Sequence, residues 1–191
     1  SPTSRLRLDS TVRDGQRASS SAWIRQQGSC CVSLGRPVQG NIMTTTSLKT
    51  PFHDWHEAHG GRLVDFAGWD MPVQYTTITE EHHAVRTAVG VFDIAHMGRL
   101  RFHGADACRF LDRLVTNDVV ALEVGQVRYA LVCREDGGIL DDVLVYRFEE
   151  DYLLVVNASN RMKILDWIEV QRDEFDVTVT DLTLDWAMVA I

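Results

Sequence analysis

Three apolar runs, Val127–Cys133, Ile139–Phe148 and Tyr152–Asn157, follow one another with only Arg134-Glu-Asp-Gly-Gly138 and Glu149-Glu-Asp151 between them. Each has a strand's length and is rich in β-branched and aromatic residues. Connections that short join antiparallel neighbours, whereas parallel neighbours need a crossover of roughly a dozen residues or more. An antiparallel meander is therefore the frame, and the other elements must pack on it. Ala107, Phe110, Leu111, Leu114 and Val115 recur as one helical stripe. Thr77 with Glu80 forms a capping box, opening a helix that carries Ile78, His82, Val85 and Val89 to Gly90. Ser159 or Asn160 can cap a further helix to about Arg172, with Met162, Leu165 and Ile168 inward. Pro51–His59 predicts a short helix ended by Gly60-Gly61, and Arg62–Phe66 a short strand. Ala67–Tyr75 reads as a loop punctuated by Gly68 and Pro72. Leu100 and Phe102 alternate with Arg99, Arg101 and His103 as in a half-exposed strand. Val177–Thr180 and Trp186–Ile191 are strand-like. Helices interspersed with antiparallel strands define the α+β class, antiparallel sheets with packed helices.

The first segment is different in kind. Residues 1–42 hold six arginines (Arg5, Arg7, Arg13, Arg17, Arg25 and Arg36) against Asp9 and Asp14, with Ser, Gly and Gln and no sustained hydrophobic period. Such a stretch buries too little apolar surface to offset its chain entropy. Residues 1–47 are expected to be a disordered leader, either a transit peptide or upstream sequence translated ahead of Met43. Ordered structure is expected over residues 48–191. The whole chain carries a net charge of -8, which argues against a nucleic-acid partner, since phosphate backbones need a basic footprint. No apolar stretch approaches a membrane span. Cys30, Cys31, Cys108 and Cys133 lack metal-ligand or redox spacing, so reduced thiols are expected.

Two carboxylates, Asp141 and Asp142, lie inside the second strand of the meander. Alternation puts Ile139, Asp141, Val143 and Val145 on one face and Leu140, Asp142, Leu144 and Tyr146 on the other. Both faces are otherwise apolar, as in a strand buried on both sides. A carboxylate there is costly unless hydrogen-bonded or paired. Neighbours on opposite faces cannot flank one bond as glycosidase carboxylates do. At least one Asp is expected to hold a turn, an even choice for Asp141, and Asp142 is the functional candidate.

Other candidates read more plainly. His53, His56 and His59 lack the i, i+4 spacing of helical zinc ligands, so a polar helix face is the expectation. His82-His83 reads as a solvated flank, His96 as a structural loop histidine, and Trp69 as a core-sealing residue. No Gly-rich phosphate cradle and no Ser-His-Asp order is evident.

Six motifs in order now form a pattern: Val64-Asp-Phe-Ala-Gly-Trp-Asp-Met-Pro72, Glu81-His-His-Ala-Val-Arg86, Val91-Phe-Asp-Ile-Ala-His-Met-Gly98, Thr116-Asn-Asp118, Gly137-Gly-Ile-Leu-Asp-Asp142 and Val156-Asn157. On these the chain from about Leu48 resembles the N-terminal portion of the aminomethyltransferase family, the T-protein of the glycine cleavage system. The resemblance implies a folate-binding aminomethyltransferase-like fold, incomplete at its C-terminus. It implies transfer of the methylene of an aminomethyl group from the lipoyl arm of H-protein to tetrahydrofolate, with ammonia released and 5,10-methylenetetrahydrofolate formed. Asp142 matches the family's key acid, which holds the pterin nitrogens and assists proton movement. Met97, Tyr129, Leu144 and Tyr146 match positions lining the folate pocket, and Asn157 a supporting position. No metal is implied. A Glu and one or more Arg of the family's site lie beyond the matched portion, so this chain alone is expected to be inactive. The rival readings are an iron–sulfur assembly factor and the folate domain of a sarcosine- or dimethylglycine-oxidising enzyme. The resemblance looks bacterial, implying the cytoplasm, or the mitochondrial matrix if the leader is a transit peptide.

Overall fold

The computed structural model describes residues 46–191; all but the last two residues of the expected leader, and the Cys30-Cys31 pair, lie outside the described residues. Its elements are β1 (Leu48–Lys49), α1 (His53–Ala58), β2 (Leu63–Phe66), β3 (Trp69–Pro72), α2 (Ile78–Thr87), β4 (Phe92–Asp93), β5 (Gly98–His103), α3 (Ala107–Leu114), β6 (Val127–Cys133), β7 (Ile139–Arg147), β8 (Tyr152–Val156), α4 (Arg161–Gln171), β9 (Thr178–Asp181) and β10 (Val189–Ala190). A short 3-10 turn, Ala158–Asn160, leads into α4.

The meander is present. It extends into a five-stranded antiparallel sheet of order β6-β7-β8-β5-β9. One face carries the core. Phe102, Ala130, Val132, Val143, Val145, Leu154 and Val156 of the sheet form one buried cluster with Ala107, Phe110, Leu111 and Leu114 of α3 and Ile164 and Ile168 of α4. The α3 stripe is buried throughout, as the spacing required. In α4 the inward pair is Ile164 and Ile168 with Leu165 partly buried, and Met162 points to solvent. The phase of α4 is therefore rotated from the expected one.

β7 departs from strict alternation at one point. Asp141 opposes Val132 on β6 but Ile139 opposes Cys133, leaving Leu140 as the extra residue of a bulge. Leu140 and Asp141 are consequently both buried, and Ile139 is exposed. From Asp141 onward the alternation holds: Asp141, Val143 and Val145 face the core. Asp142, Leu144 and Tyr146 face the other way and are exposed or half-buried. The strand is not buried on both sides.

The stretch expected as a loop contains β3, which pairs with both β2 and β1. Ala67 and Gly68 both have positive φ, 54° and 81°, as a two-residue type I′ hairpin turn demands. Pro72 sits at the strand's last position, where no ladder donor is lost. Ala67 bears a Cβ in the left-handed region, so Ala67→Asn is expected to raise stability by about 0.5–1 kcal/mol, read as a higher denaturation midpoint.

α1 is not a solvated polar face. His53 and His56 are buried. His53 Nε2 donates to Asp70 of β3 at 2.7 Å, and His56 Nε2 to Asp93 of β4 at 2.8 Å. The second ring nitrogen of His56 meets the Tyr75 hydroxyl. Asp70, chiefly, raises the His53 pKa above 6.5. Burial alone would push the Asp93 carboxyl up, but the bonds from His56 and the Ala95 N–H oppose it, and the carboxyl is held below 3.8. Asp181 is likewise held below 3.8: Thr183 and Arg161 outweigh its burial. The two depressed carboxyls contribute stability above their unfolded pKa values, lost as pH falls through the folded ones. The His53 contribution is full below 6.5 and is lost as pH rises through its folded value. Unfolding midpoints are therefore expected to fall on both sides of a mildly acidic optimum, checked by denaturant titrations at about pH 3, 5.5 and 8.5.

Half of the capping box of α2 forms: the Glu80 N–H donates to Thr77 Oγ1 at 3.2 Å, but the Glu80 carboxylate accepts from the Thr77 hydroxyl, at 2.9 Å, and not from the Thr77 N–H. Its apolar stripe is not in the core, since α2 has no buried residue. Ile78, Val85 and Val89 instead line a cavity of about 900 Å³ shared with Trp55, Tyr75 and Phe92. No helix among the described residues is long and apolar enough to cross a membrane.

Candidate functional site

The ladder between β7 and β8 ends at the Leu144–Val155 pair; continued past it, the register sets Val143 against Val156 and then Asp142 against Asn157. There β8 leaves the sheet, and the two carboxylates take over from the backbone. Asp141 is buried, yet no Lys, Arg or His pairs with it among the described residues. Its charge is met by amides. The Asn157 N–H donates to one carboxylate oxygen at 2.9 Å, while Asn157 Nδ2 at 2.8 Å and Asn160 Nδ2 at 2.6 Å donate to the other. Amide donors in this number stabilise an isolated carboxylate.

Asp141 therefore holds a turn, but not the Gly137-Gly138 turn that precedes it. Asp136 does that, accepting from the Gly138 N–H at 2.9 Å. Asp141 ties the turn after β8 instead. Asn160 precedes α4 without a side-chain cap bond; its amide is spent on Asp141. No local pattern marked Asn160 for this, because its partner lies 19 residues away.

Asp142 differs from its neighbour in being exposed. Asn157 Nδ2 donates to its Oδ1 at 2.8 Å and approaches its backbone carbonyl at 3.1 Å. Among the described residues its Oδ2 has only the Tyr129 hydroxyl, at 3.4 Å. Desolvation against the sheet and then the Asp142 charge push the Tyr129 phenol up, so it remains a donor. The β6–β7 register pairs Tyr129 with Leu144 and Val127 with Tyr146. Directly opposed residues share a face. Tyr129, Asp142, Leu144 and Tyr146 therefore share the sheet face turned away from the core. Met97 lies immediately before Gly98, which pairs with Val156. That places it at the same end of the sheet as Asn157, on the loop entering β5.

The alternating pattern misplaced Arg99, which is buried. Its guanidinium donates to the carbonyls of Met97 at 2.7 Å, Ala95 at 2.9 Å and Thr183. It clamps the Met97 loop to the sheet. His96 packs edge-on against Phe66, and burial lowers its pKa. Trp69 is buried as expected, and His82 and His83 are exposed.

Chemically, the face offers one carboxylate with a tied oxygen and a free one, beside two phenol rings and a leucine. That set suits a flat heterocycle bearing N–H donors, which stacks on aromatic rings and hydrogen-bonds to a carboxylate. The 900 Å³ cavity lies elsewhere and none of these residues lines it. Among the described residues no group of three or more His, Cys, Asp or Glu is placed to hold a metal ion.

Residues 52–191 match the family described as the GCVT N-terminal domain. Proteins named aminomethyltransferase are similar: one from Rubrobacter xylanophilus is 51% identical over 146 residues, covering 76% of this chain and 39% of its own length. One from Bacillus cereus is 48% identical over 147 residues, covering 76% and 40%. The crystal structure of glycine cleavage system aminomethyltransferase T from Bartonella henselae superposes with a TM-score of 0.67 at 34% identity, over 71% of this chain and 38% of that one. The chain thus spans about two fifths of the length of the relatives it matches. From its motifs, its α+β fold and these matches, the chain belongs to the aminomethyltransferase family, through its GCVT N-terminal domain.

Proposed function

We propose that the open face of β6 and β7 is the part of a tetrahydrofolate site that this chain supplies, and that the reaction served is aminomethyl transfer in glycine cleavage. The aminomethyl group would arrive on lipoylated H-protein; the products would be ammonia, 5,10-methylenetetrahydrofolate and dihydrolipoyl H-protein. The observation that carries the reading is the free oxygen of Asp142 beside Tyr129, Leu144 and Tyr146 on one exposed face. Tetrahydrofolate, as co-substrate, supplies the nitrogen nucleophile. The chain's own residues do the rest: Tyr129 and Tyr146 stack, Leu144 and Met97 exclude water, and Asp142 Oδ2 accepts and holds a proton from a ring N–H. Asn157 keeps the other Asp142 oxygen occupied. The names of the relatives favour this over an iron–sulfur assembly factor or a sarcosine-oxidising enzyme, and their bacterial sources favour the cytoplasm.

Calorimetric titration with tetrahydrofolate of a chimera, in which residues 46–191 replace the matched portion of the Rubrobacter xylanophilus aminomethyltransferase, tests the site. Saturable binding is expected, weakened about tenfold by Tyr129→Ala or Tyr146→Ala, about the worth of one stacked ring. Binding indifferent to both substitutions, or no binding, would overturn it.

A further inference from the structure

Asn157 donates through a single Nδ2 to three acceptors: Asp141 Oδ1, Asp142 Oδ1 and the Asp142 carbonyl. That nitrogen has two hydrogens. One goes to Asp141. The other is shared between Asp142 Oδ1 and the Asp142 carbonyl. An asparagine amide is nearly symmetric in shape, and its two orientations differ only in whether oxygen or NH2 faces a neighbour. With Asp142 alone the choice is weakly biased, because Asp142 is exposed and can turn to water. With Asp141 present it is not. An amide oxygen in that position would face the carboxylate oxygen of a buried, acceptor-only group, within hydrogen-bond distance and with no hydrogen between them. Asp141 cannot turn away, since the Asn157 N–H and Asn160 Nδ2 hold it from two sides.

We propose that Asp141 is a positioning residue for Asp142: it locks the Asn157 side chain with NH2 toward Asp142, so that Asp142 Oδ1 is always tied and Oδ2 is always the free oxygen. Asn160 completes the lock by holding Asp141. The adjacent carboxylates act in series through one amide, although their side chains leave opposite faces of β7. This rests on the reading of Asp142 as the proton-handling group. The lock itself is a property of the chain without ligand.

The test separates the two. In the unliganded chain, selectively labelled at asparagine, the Asn157 side-chain amide protons are expected to exchange with water at least tenfold more slowly than those of an asparagine in an unstructured peptide. Asn157 amide protons that exchange as fast as those of an unstructured peptide would overturn the lock whatever the chain binds. Asp141→Asn replaces an acceptor-only group by one that can present NH2, and is expected to abolish the protection and weaken tetrahydrofolate binding about tenfold. Asn160→Ala leaves the Asp141–Asn157 bonds and is expected to reduce both effects to a few-fold. If Asp141→Asn fails to fold, the wild-type exchange measurement still decides. Protection in wild type that persists in a folded Asp141→Asn variant would also overturn the proposal. A protected Asn157 in a chain that binds no tetrahydrofolate would uphold the lock and count against the site's assignment alone.

Discussion

Asp142→Asn is expected to lower kcat/KM for aminomethyl transfer by about 10²–10³-fold, the usual worth of a positioned acid or base. Stability is expected to stay within about 0.5 kcal/mol, as for an exposed position. The substitution keeps the shape of the side chain and an oxygen able to accept from Asn157 Nδ2, so the local fold has no reason to change. What is lost is the anionic oxygen left free beside Tyr129. An amide in its place cannot take up a proton at neutral pH. The chain covers about two fifths of its relatives' length, so the measurement suits a chimera. In it, residues 46–191 replace the matched portion of the Rubrobacter xylanophilus aminomethyltransferase, with lipoylated H-protein as donor. A loss confined to KM would make Asp142 a binding group only. Near-normal turnover in a folded variant would remove it from the mechanism.

The parts of this fold that were legible in the sequence are those fixed by short-range rules. Connections of a few residues forced the meander, and the α3 stripe named its own buried face. Asp142 was placed on the correct face because the bulge in β7 falls at Leu140, ahead of both carboxylates. Ile139, on the far side of that bulge, was grouped with Asp141 and in fact points away from the core. β3 was hidden because Gly68 and Pro72, usually loop punctuation, here form a hairpin turn and a strand end. The deeper misses share one cause. The partners of His53, His56, Arg99 and Asp141 include groups 16 to 84 residues away, and a polar side chain looks the same in sequence whether water or a buried partner satisfies it. Only the fold tells a solvated histidine from one that pins a helix.

Arg99→Met is expected to cost about 3–5 kcal/mol, roughly the sum for two or three buried carbonyls left without a donor. Size alone would not produce this, because methionine fills much of the same volume. Burial of an arginine against apolar neighbours would not either, since replacing a fully buried ion pair by apolar groups is often neutral. The difference lies in what is left behind. Among the described residues Arg99 has no carboxylate within salt-bridge distance; its guanidinium is met by the carbonyls of Ala95, Met97 and Thr183. Methionine would leave these acceptors without their charged donor, at roughly 1–3 kcal/mol for each one that water does not reach. Arg99→Lys is expected to recover less than half of the loss, because a point ammonium cannot reproduce the planar fork. The damage is directional as well. Two of the carbonyls belong to the loop that carries Met97, so tetrahydrofolate binding should weaken in the lysine variant even at temperatures where it is fully folded. Urea midpoints and calorimetric titrations on both variants check the two effects. A methionine variant within 1 kcal/mol of wild type would mean that the carbonyls find water or each other, and that the loop is held by something other than this guanidinium.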